Sequence, residues 1–217
     1  MRGPLESVSK STQQHKFFER FLDNDLTLLS NDLQDRYFKI KNAEVLGVTE
    51  LSENELWKSS NSVSTMKWRE YNVFQFHITG IRKLYDAVSE MIKEACQYYN
   101  IDFEKEQFMI QGWFNINEAN HGKLDWHDHG PYGAPNFHGY YCVNAEPSIT
   151  HYITFGEEKD NINKNNRAVI SEMGHPHAMG DWTWDGPRIT VAYDVIPLRY
   201  LQEGIGMTQE QHWIPLN

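Results

Sequence analysis

The spacing of hydrophobic positions changes character about halfway along the chain. Between residues 81 and 99, Ile81, Leu84, Tyr85, Val88, Met91, Ile92, Ala95 and Tyr99 recur at helical intervals. Arg82, Lys83, Asp86, Glu90, Lys93 and Glu94 fill the other face. This is the period of an amphipathic helix whose apolar stripe faces a core. A looser helical rhythm through Phe17, Phe18, Phe21, Leu22, Leu28, Leu29 and Leu33 predicts a helix ending near Asp35. Tyr37, Phe38 and Ile40 then suggest a short strand. In YNVFQFHIT at 71–79, Phe74, Phe76 and Ile78 alternate with Val73, Gln75, His77 and Thr79, which predicts a half-buried strand ended by Gly80. Residues 1–15 are polar and predicted to fray, residues 43–70 are mixed, and SSNSVST at 59–65 reads as a loop.

From about residue 106 the pattern shortens. FMIQGWFNI, FHGYYCVN, ITHYITF, RAVIS and RITVAYDV are five strand candidates separated by turns rich in Gly, Pro and Asn. HGKLDWHDHGPYGAPN and GEEKDNINKNN are the main loops. Short strands in such number predict a sandwich or barrel, and no repeat at solenoid spacing is present. A helical and mixed N-terminal support (residues 1–105) beside a β-rich core (106–200) makes an α+β chain. With no linker-like stretch between the halves, the 217 residues are expected to fold as one unit.

Composition narrows the function classes. The formal net charge is -10 and no basic stripe is present, which argues against nucleic acid or an anionic membrane surface as partner. Two cysteines, Cys96 and Cys142, in no CxxC pattern, exclude a thiolate zinc site and a disulfide framework. They read as small buried residues in a reducing compartment. No apolar signal region opens the sequence and no stretch approaches a membrane span, so a cytoplasmic location is expected.

Histidine carries the chemical signal. Of the 10 histidines, His121, His127, His129, His138, His151, His175 and His177 crowd into a quarter of the chain. Imidazole is the commonest ligand for iron, zinc and copper. If DWHDHG at 125–130 is extended, His127 and His129 share a face, about 6.6 Å apart along the strand. Asp125 shares that face and Asp128 takes the other. In GHPHAMGDW at 174–182, Pro176 favours extended backbone, so His175 and His177 are also positioned to face one way. One of them would complete a three-residue face that leaves coordination positions open, as an oxygen-activating iron requires. Arg188 opens the apolar run RITVAYDV, where its planar fork suits a carboxylate.

In this order the residues resemble a known family. His127-Asp128-His129-Gly130-Pro131, His138-Gly139-Tyr140-Tyr141, a distal His177 and then Arg188-Ile189-Thr190 are similar to the motifs of the iron(II)/2-oxoglutarate-dependent dioxygenases. The prolyl-hydroxylase-like branch, with its phage and marine bacterial members, is the nearest in flavour. The resemblance covers roughly residues 108–196. It implies a double-stranded β-helix (a jelly-roll, cupin-like fold) with N-terminal flanking helices. It also implies Fe(II) held by His127, His129 and His177, dioxygen as oxidant, and 2-oxoglutarate held by Arg188 and Thr190 with a hydroxyl from Tyr140. The implied reaction is hydroxylation of a C–H bond of a small-molecule or peptide substrate, with succinate and carbon dioxide as co-products. The family's second ligand is usually a carboxylate. At that position three candidates stand open: His129 itself, Asp128 turned in by a bulge, or Asp125 paired with His127. His177 has the spacing to Arg188 that the family prefers, which leaves His175 outside the ligand set. Two other classes remain: a three-histidine metal dioxygenase that needs no 2-oxoglutarate, and a jelly-roll binding module without catalysis. The sequence names no substrate and no oligomeric state.

Overall fold

A computed structural model describes residues 15–49, 63–68, 71–117, 125–130, 132–203 and 212–216. Three sequence expectations fall wholly or mostly outside the described residues: the frayed end at 1–15, of which His15 alone is described, the loop at 59–65, of which 63–65 are described and Val63–Ser64 is a strand, and the position of His121. A short strand, β1 (Phe18–Phe21), and a long helix, α1 (Leu26–Val45), come first. After strand β2 (Val63–Ser64) comes helix α2 (Ile81–Tyr98). The β-rich part contains β3 (Phe108–Asn117), β4 (Phe137–Asn144), β5 (Ile149–Thr154), β6 (Glu157–Ile162), β7 (Arg167–Glu172), β8 (His177–Met179) and β9 (Arg188–Pro197). Helix α3 (Leu198–Gln202) and strand β10 (Ile214–Leu216) follow.

The larger sheet has the order β1-β7-β4-β9-β3-β10, with β2 also paired to β3, and every pairing is antiparallel. The smaller sheet has the order β6-β5-β8. The chain is α+β, and the two sheets form a jelly-roll core that does not close into a barrel. Both faces of the larger sheet are buried, and the alternation of side chains decides what each face does. Phe108, Ile110 and Phe114 of β3, Phe137 and Tyr141 of β4, and Ile189, Val191, Tyr193 and Val195 of β9 point towards the helices and join the main core. The helices contribute Leu29, Leu33 and Ile40 from α1, and Leu84, Val88, Met91, Ile92 and Ala95 from α2. The intervening residues, among them Trp113, Tyr140, Cys142, Val169 and Ala192, gather with Tyr152 of β5 in a second, smaller cluster on the inner face. No helix among the described residues is long and apolar enough to cross a membrane.

Gly139 shows how tightly the helix-facing side is packed. A methyl group there would lie 2.2 Å from the Val169 carbonyl oxygen and 2.5 Å from the Tyr193 ring. Backbone cannot yield as a flexible side chain does, so Gly139→Ala is expected to cost about 3 kcal/mol, read as a lowered urea midpoint at unchanged m-value.

Four local expectations are corrected. Residues 17–22 do not begin the first helix. Phe18–Phe21 pairs with β7, and the Asp25 carboxylate then caps α1 by accepting from the Leu28 amide at 3.0 Å. Tyr37, Phe38 and Ile40 lie inside α1 and form no strand. No breaker precedes them, and the helix runs on until Gly47, whose φ of +68° ends it. Residues 71–79 are not a strand. The Asn72 side chain accepts from Phe74 N at 3.1 Å and Gly112 N at 3.2 Å and donates to the Ile110 carbonyl at 3.0 Å. Those bonds set a short 3-10 turn, Val73–Gln75, in competition with a ladder. Finally, GEEKDNINKNN is not all loop, since Glu157–Ile162 is the acidic edge strand β6.

Candidate functional site

The inner face between the two sheets holds the polar residues that the β-strands carry at alternate positions. His127 and His177 exchange both backbone hydrogen bonds, His127 N to His177 O at 3.1 Å and His177 N to His127 O at 2.8 Å. Directly opposed residues of such a pair present their side chains to one face. His129, two residues on, joins them. Ligand atoms from His127, His129 and His177 all lie within 4.8 Å of one another.

In each of these rings Nδ1 is already engaged. His127 Nδ1 lies 2.8 Å from the Asp125 carbonyl, His177 Nδ1 lies 3.2 Å from the His175 carbonyl, and His129 Nδ1 lies 2.9 Å from Asp194 Oδ2. A carbonyl or carboxylate at Nδ1 fixes the tautomer with the proton there, which leaves Nε2 of each ring with its lone pair free for a metal. Burial lowers the pKa of His127 and, much further, of His177, with the neighbouring imidazoles acting in the same direction. These two rings are therefore held neutral, the form in which imidazole binds metal.

Of the competing second residues, neither aspartate enters this group. The Asp128 carboxylate accepts from the Tyr132 hydroxyl at 3.2 Å in an exposed position, and Asp125 is exposed and contributes its backbone carbonyl. His175 also stays outside. Its Nε2 lies 3.2 Å from Glu172, and its ring packs edge-on against His15.

Two residues to which the sequence reading gave no role complete the cluster. His138 of β4 and Asp194 of β9 are register partners. The Asp194 carboxylate lies 2.7 Å from His138 Nδ1 and 2.9 Å from His129 Nδ1. The His138 ring stacks on His129 at 4.0 Å and lies 4.7 Å from His177. Trp113 of β3 is stacked over His129, with ring centroids 5.7 Å apart and 11° between planes. Burial would push the Asp194 carboxyl up, but the His129 charge and the two imidazole hydrogen bonds hold it well below the usual range, so it stays ionised. A signal for Asp194 exists in the sequence: it shares strand parity with Arg188 and Thr190, a third polar residue on the inner side of RITVAYDV.

Burial pulls His138 down to about 4, with the His129 charge adding and Asp194 opposing. The unfolded chain titrates near 6.5, so between these values it takes up a proton that the folded chain refuses. The stability this group contributes is therefore present above pH 6.5 and lost as pH falls towards 4. The expected loss is on the order of 3 kcal/mol. Urea unfolding of the metal-free protein from pH 7 to 4 should show this fall, and the slope should flatten in His138→Gln.

Arg188, Thr190 and Tyr140 occupy the same inner face. Arg188 is buried at 5% exposure, and its Nε donates to Ser148 Oγ at 3.2 Å. Burial lowers its pKa, and the groups that favour its charge are Cys142 and Tyr140, neither a carboxylate. Among the described residues this guanidinium has no anion of the kind that buried charge normally has. Thr190 is the register partner of Cys142, and Tyr140 that of Ala192. The buried Tyr140 hydroxyl lacks a hydrogen-bond partner, although Thr150 stands beside it. Burial raises the Tyr140 phenol well above its ordinary value, so it stays protonated as a donor.

The fold is that of known oxygenases. The structure of SnoK, a non-heme alpha-ketoglutarate-dependent carbocyclase from nogalamycin biosynthesis, superposes with a TM-score of 0.54 at 8% identity, covering 84% of this chain and 79% of that one. A prolyl-4-hydroxylase from Pseudomonas putida gives 0.50 at 9% identity, over 83% of this chain and 92% of its own. The nickel complex of the non-heme monooxygenase ThoJ gives 0.54 at 11% identity, over 86% and 75%. No protein-family model and no curated protein sequence matches the chain. At these identities the likeness is one of fold.

Proposed function

We propose that this protein is a non-haem iron oxygenase that uses 2-oxoglutarate and dioxygen to hydroxylate a C–H bond, releasing succinate and carbon dioxide. One observation carries the reading. Three converging imidazoles, His127, His129 and His177, share an inner face with the buried guanidinium of Arg188, for which the described residues supply no carboxylate. The residues fit the groups they would hold. Three imidazole nitrogen donors suit a divalent first-row metal and leave coordination positions open. Bound there, iron supplies the activation of dioxygen.

The chain's own residues do the rest. Arg188 would hold the distal carboxylate of 2-oxoglutarate, with Thr190 and Ser148 beside it as hydroxyl partners. Tyr140 donates its unpartnered hydroxyl to the same molecule. Trp113, Tyr152, Val169 and Ala192 form the apolar wall that keeps water from the reacting centre. In this reading the substrate is a small molecule or a peptide side chain. The free, buried Cys96 and Cys142 suit a reducing cytoplasm. Neither nucleic acid nor a membrane is a partner in this reading.

Anaerobic calorimetric titration of Fe(II)-loaded protein with 2-oxoglutarate tests it. One equivalent should bind, and only when metal is present. An absence of binding at millimolar ligand would overturn the proposal. The all-histidine ligand set favours a second reading, a three-histidine dioxygenase that needs no 2-oxoglutarate. Oxygen uptake with a candidate substrate would then proceed without 2-oxoglutarate and would survive Arg188→Ala.

A further inference from the structure

The carboxylate expected beside a metal of this kind is not missing from the fold; it stands one residue further out. We propose that Asp194 is a positioning residue that serves the metal centre through His129, holding that ring by Nδ1 while its second oxygen is anchored by His138. The inference rests on the reading of His127, His129 and His177 as the ligand set.

The geometry supports it in three ways. First, Asp194 is 4% exposed and both its oxygens are used, Oδ2 on His129 at 2.9 Å and Oδ1 on His138 at 2.7 Å. A buried carboxylate is costly unless it is paired and hydrogen-bonded, and here both partners are imidazoles of the cluster. Second, the anchor is built into the sheet. His138 and Asp194 are register partners on β4 and β9, so their side chains must meet. The Trp113 ring stacked on His129 closes the remaining direction of movement. Third, the two carboxylates nearest in sequence, Asp125 and Asp128, take no part in the cluster. A carboxylate on the far nitrogen of a ligating imidazole fixes the ring and raises its basicity, and removing one typically costs 10–100-fold in metal affinity. With Asp194 in that role, the centre keeps an anionic partner while all three protein ligands are imidazoles and the open positions stay open. His138 is then the counter-anchor that keeps Asp194 aimed, and it takes no place among the ligands.

The test is competition of the intact protein with a chromophoric chelator for Co(II) at pH 7.5, read together with the visible Co(II) spectrum. Asp194→Asn can accept from only one imidazole N–H through its oxygen, so His129 loses its fixed tautomer or His138 loses its anchor. The expected result is 10- to 100-fold weaker Co(II) binding and a shifted spectrum. Asp194→Glu, which keeps the carboxylate, should recover part of the affinity and show that lost folding is not the cause. His138→Gln, with an amide to donate to Asp194, should weaken binding less than tenfold. Wild-type protein that binds no Co(II) would overturn the ligand reading and this inference together. Wild-type binding with an unchanged affinity and spectrum in Asp194→Asn would overturn this inference alone. A loss in His138→Gln as deep as in His177→Ala would also overturn it, because His138 would then be a ligand itself.

Discussion

His177→Ala is expected to remove stoichiometric metal from the protein, with an affinity loss of at least about 100-fold. The estimate starts from the 10- to 100-fold that outer partners of a ligand are worth; a ligand itself is worth more. His177 is held through its backbone as well as its ring. It sits on β8, its backbone is paired with His127 on one side and with Tyr152 of β5 on the other, and its ring stacks on Tyr152 at 5.4 Å. Because these backbone pairings do not depend on the imidazole, the fold should survive the substitution. His175→Ala is the control. It lies two residues away and makes its contacts with Glu172 and His15, so metal content should stay at the wild-type level. Elemental analysis of protein loaded with Fe(II) under argon reads both outcomes.

Arg188→Ala should leave the metal in place and remove the co-substrate. Truncating one partner of a buried charge pair costs roughly 2–5 kcal/mol. A value near the middle corresponds to a Kd for 2-oxoglutarate raised about 100- to 1000-fold. Arg188→Lys should fall between, since an ammonium keeps the charge and loses the planar fork. The apoprotein should respond in the opposite direction. Among the described residues Arg188 is buried with one hydrogen bond, to Ser148, and no anion, so its charge opposes folding until a carboxylate arrives. Arg188→Met should therefore match or exceed the wild-type urea midpoint without ligand. It should also lose the stabilisation that 2-oxoglutarate confers on the wild-type holoprotein.

The elements that could be read from the sequence are those whose pattern is set by burial. All five strand candidates after residue 106 are strands: β3, β4, β7 and β9 belong to a sheet covered on both faces, and β5, in the smaller sheet, alternates buried and half-buried positions. Helix α2 is equally legible, with a full apolar stripe against the sheet. What escaped has local causes. Strand β6 exposes almost every side chain and so carries no apolar signal, and β8 is three residues long and exists through its pairing with β5. The polar side chain of Asn72 bends residues that alternate like a strand. At the site, the two-residue spacing of His127 and His129 was readable because their segment is extended. The meeting of His138 with Asp194, 56 residues apart, depends on β4 and β9 lying side by side in the sheet, which no local pattern states.

The account stands most directly on one measurement: succinate released from 2-oxoglutarate by Fe(II)-loaded wild-type protein in air, without any substrate added. The expected result is slow succinate formation that needs both iron and oxygen, falls to background in His177→Ala, and falls at sub-millimolar 2-oxoglutarate in Arg188→Ala. Wild-type protein that holds one iron per chain and yet forms no succinate above the metal-only control would contradict it.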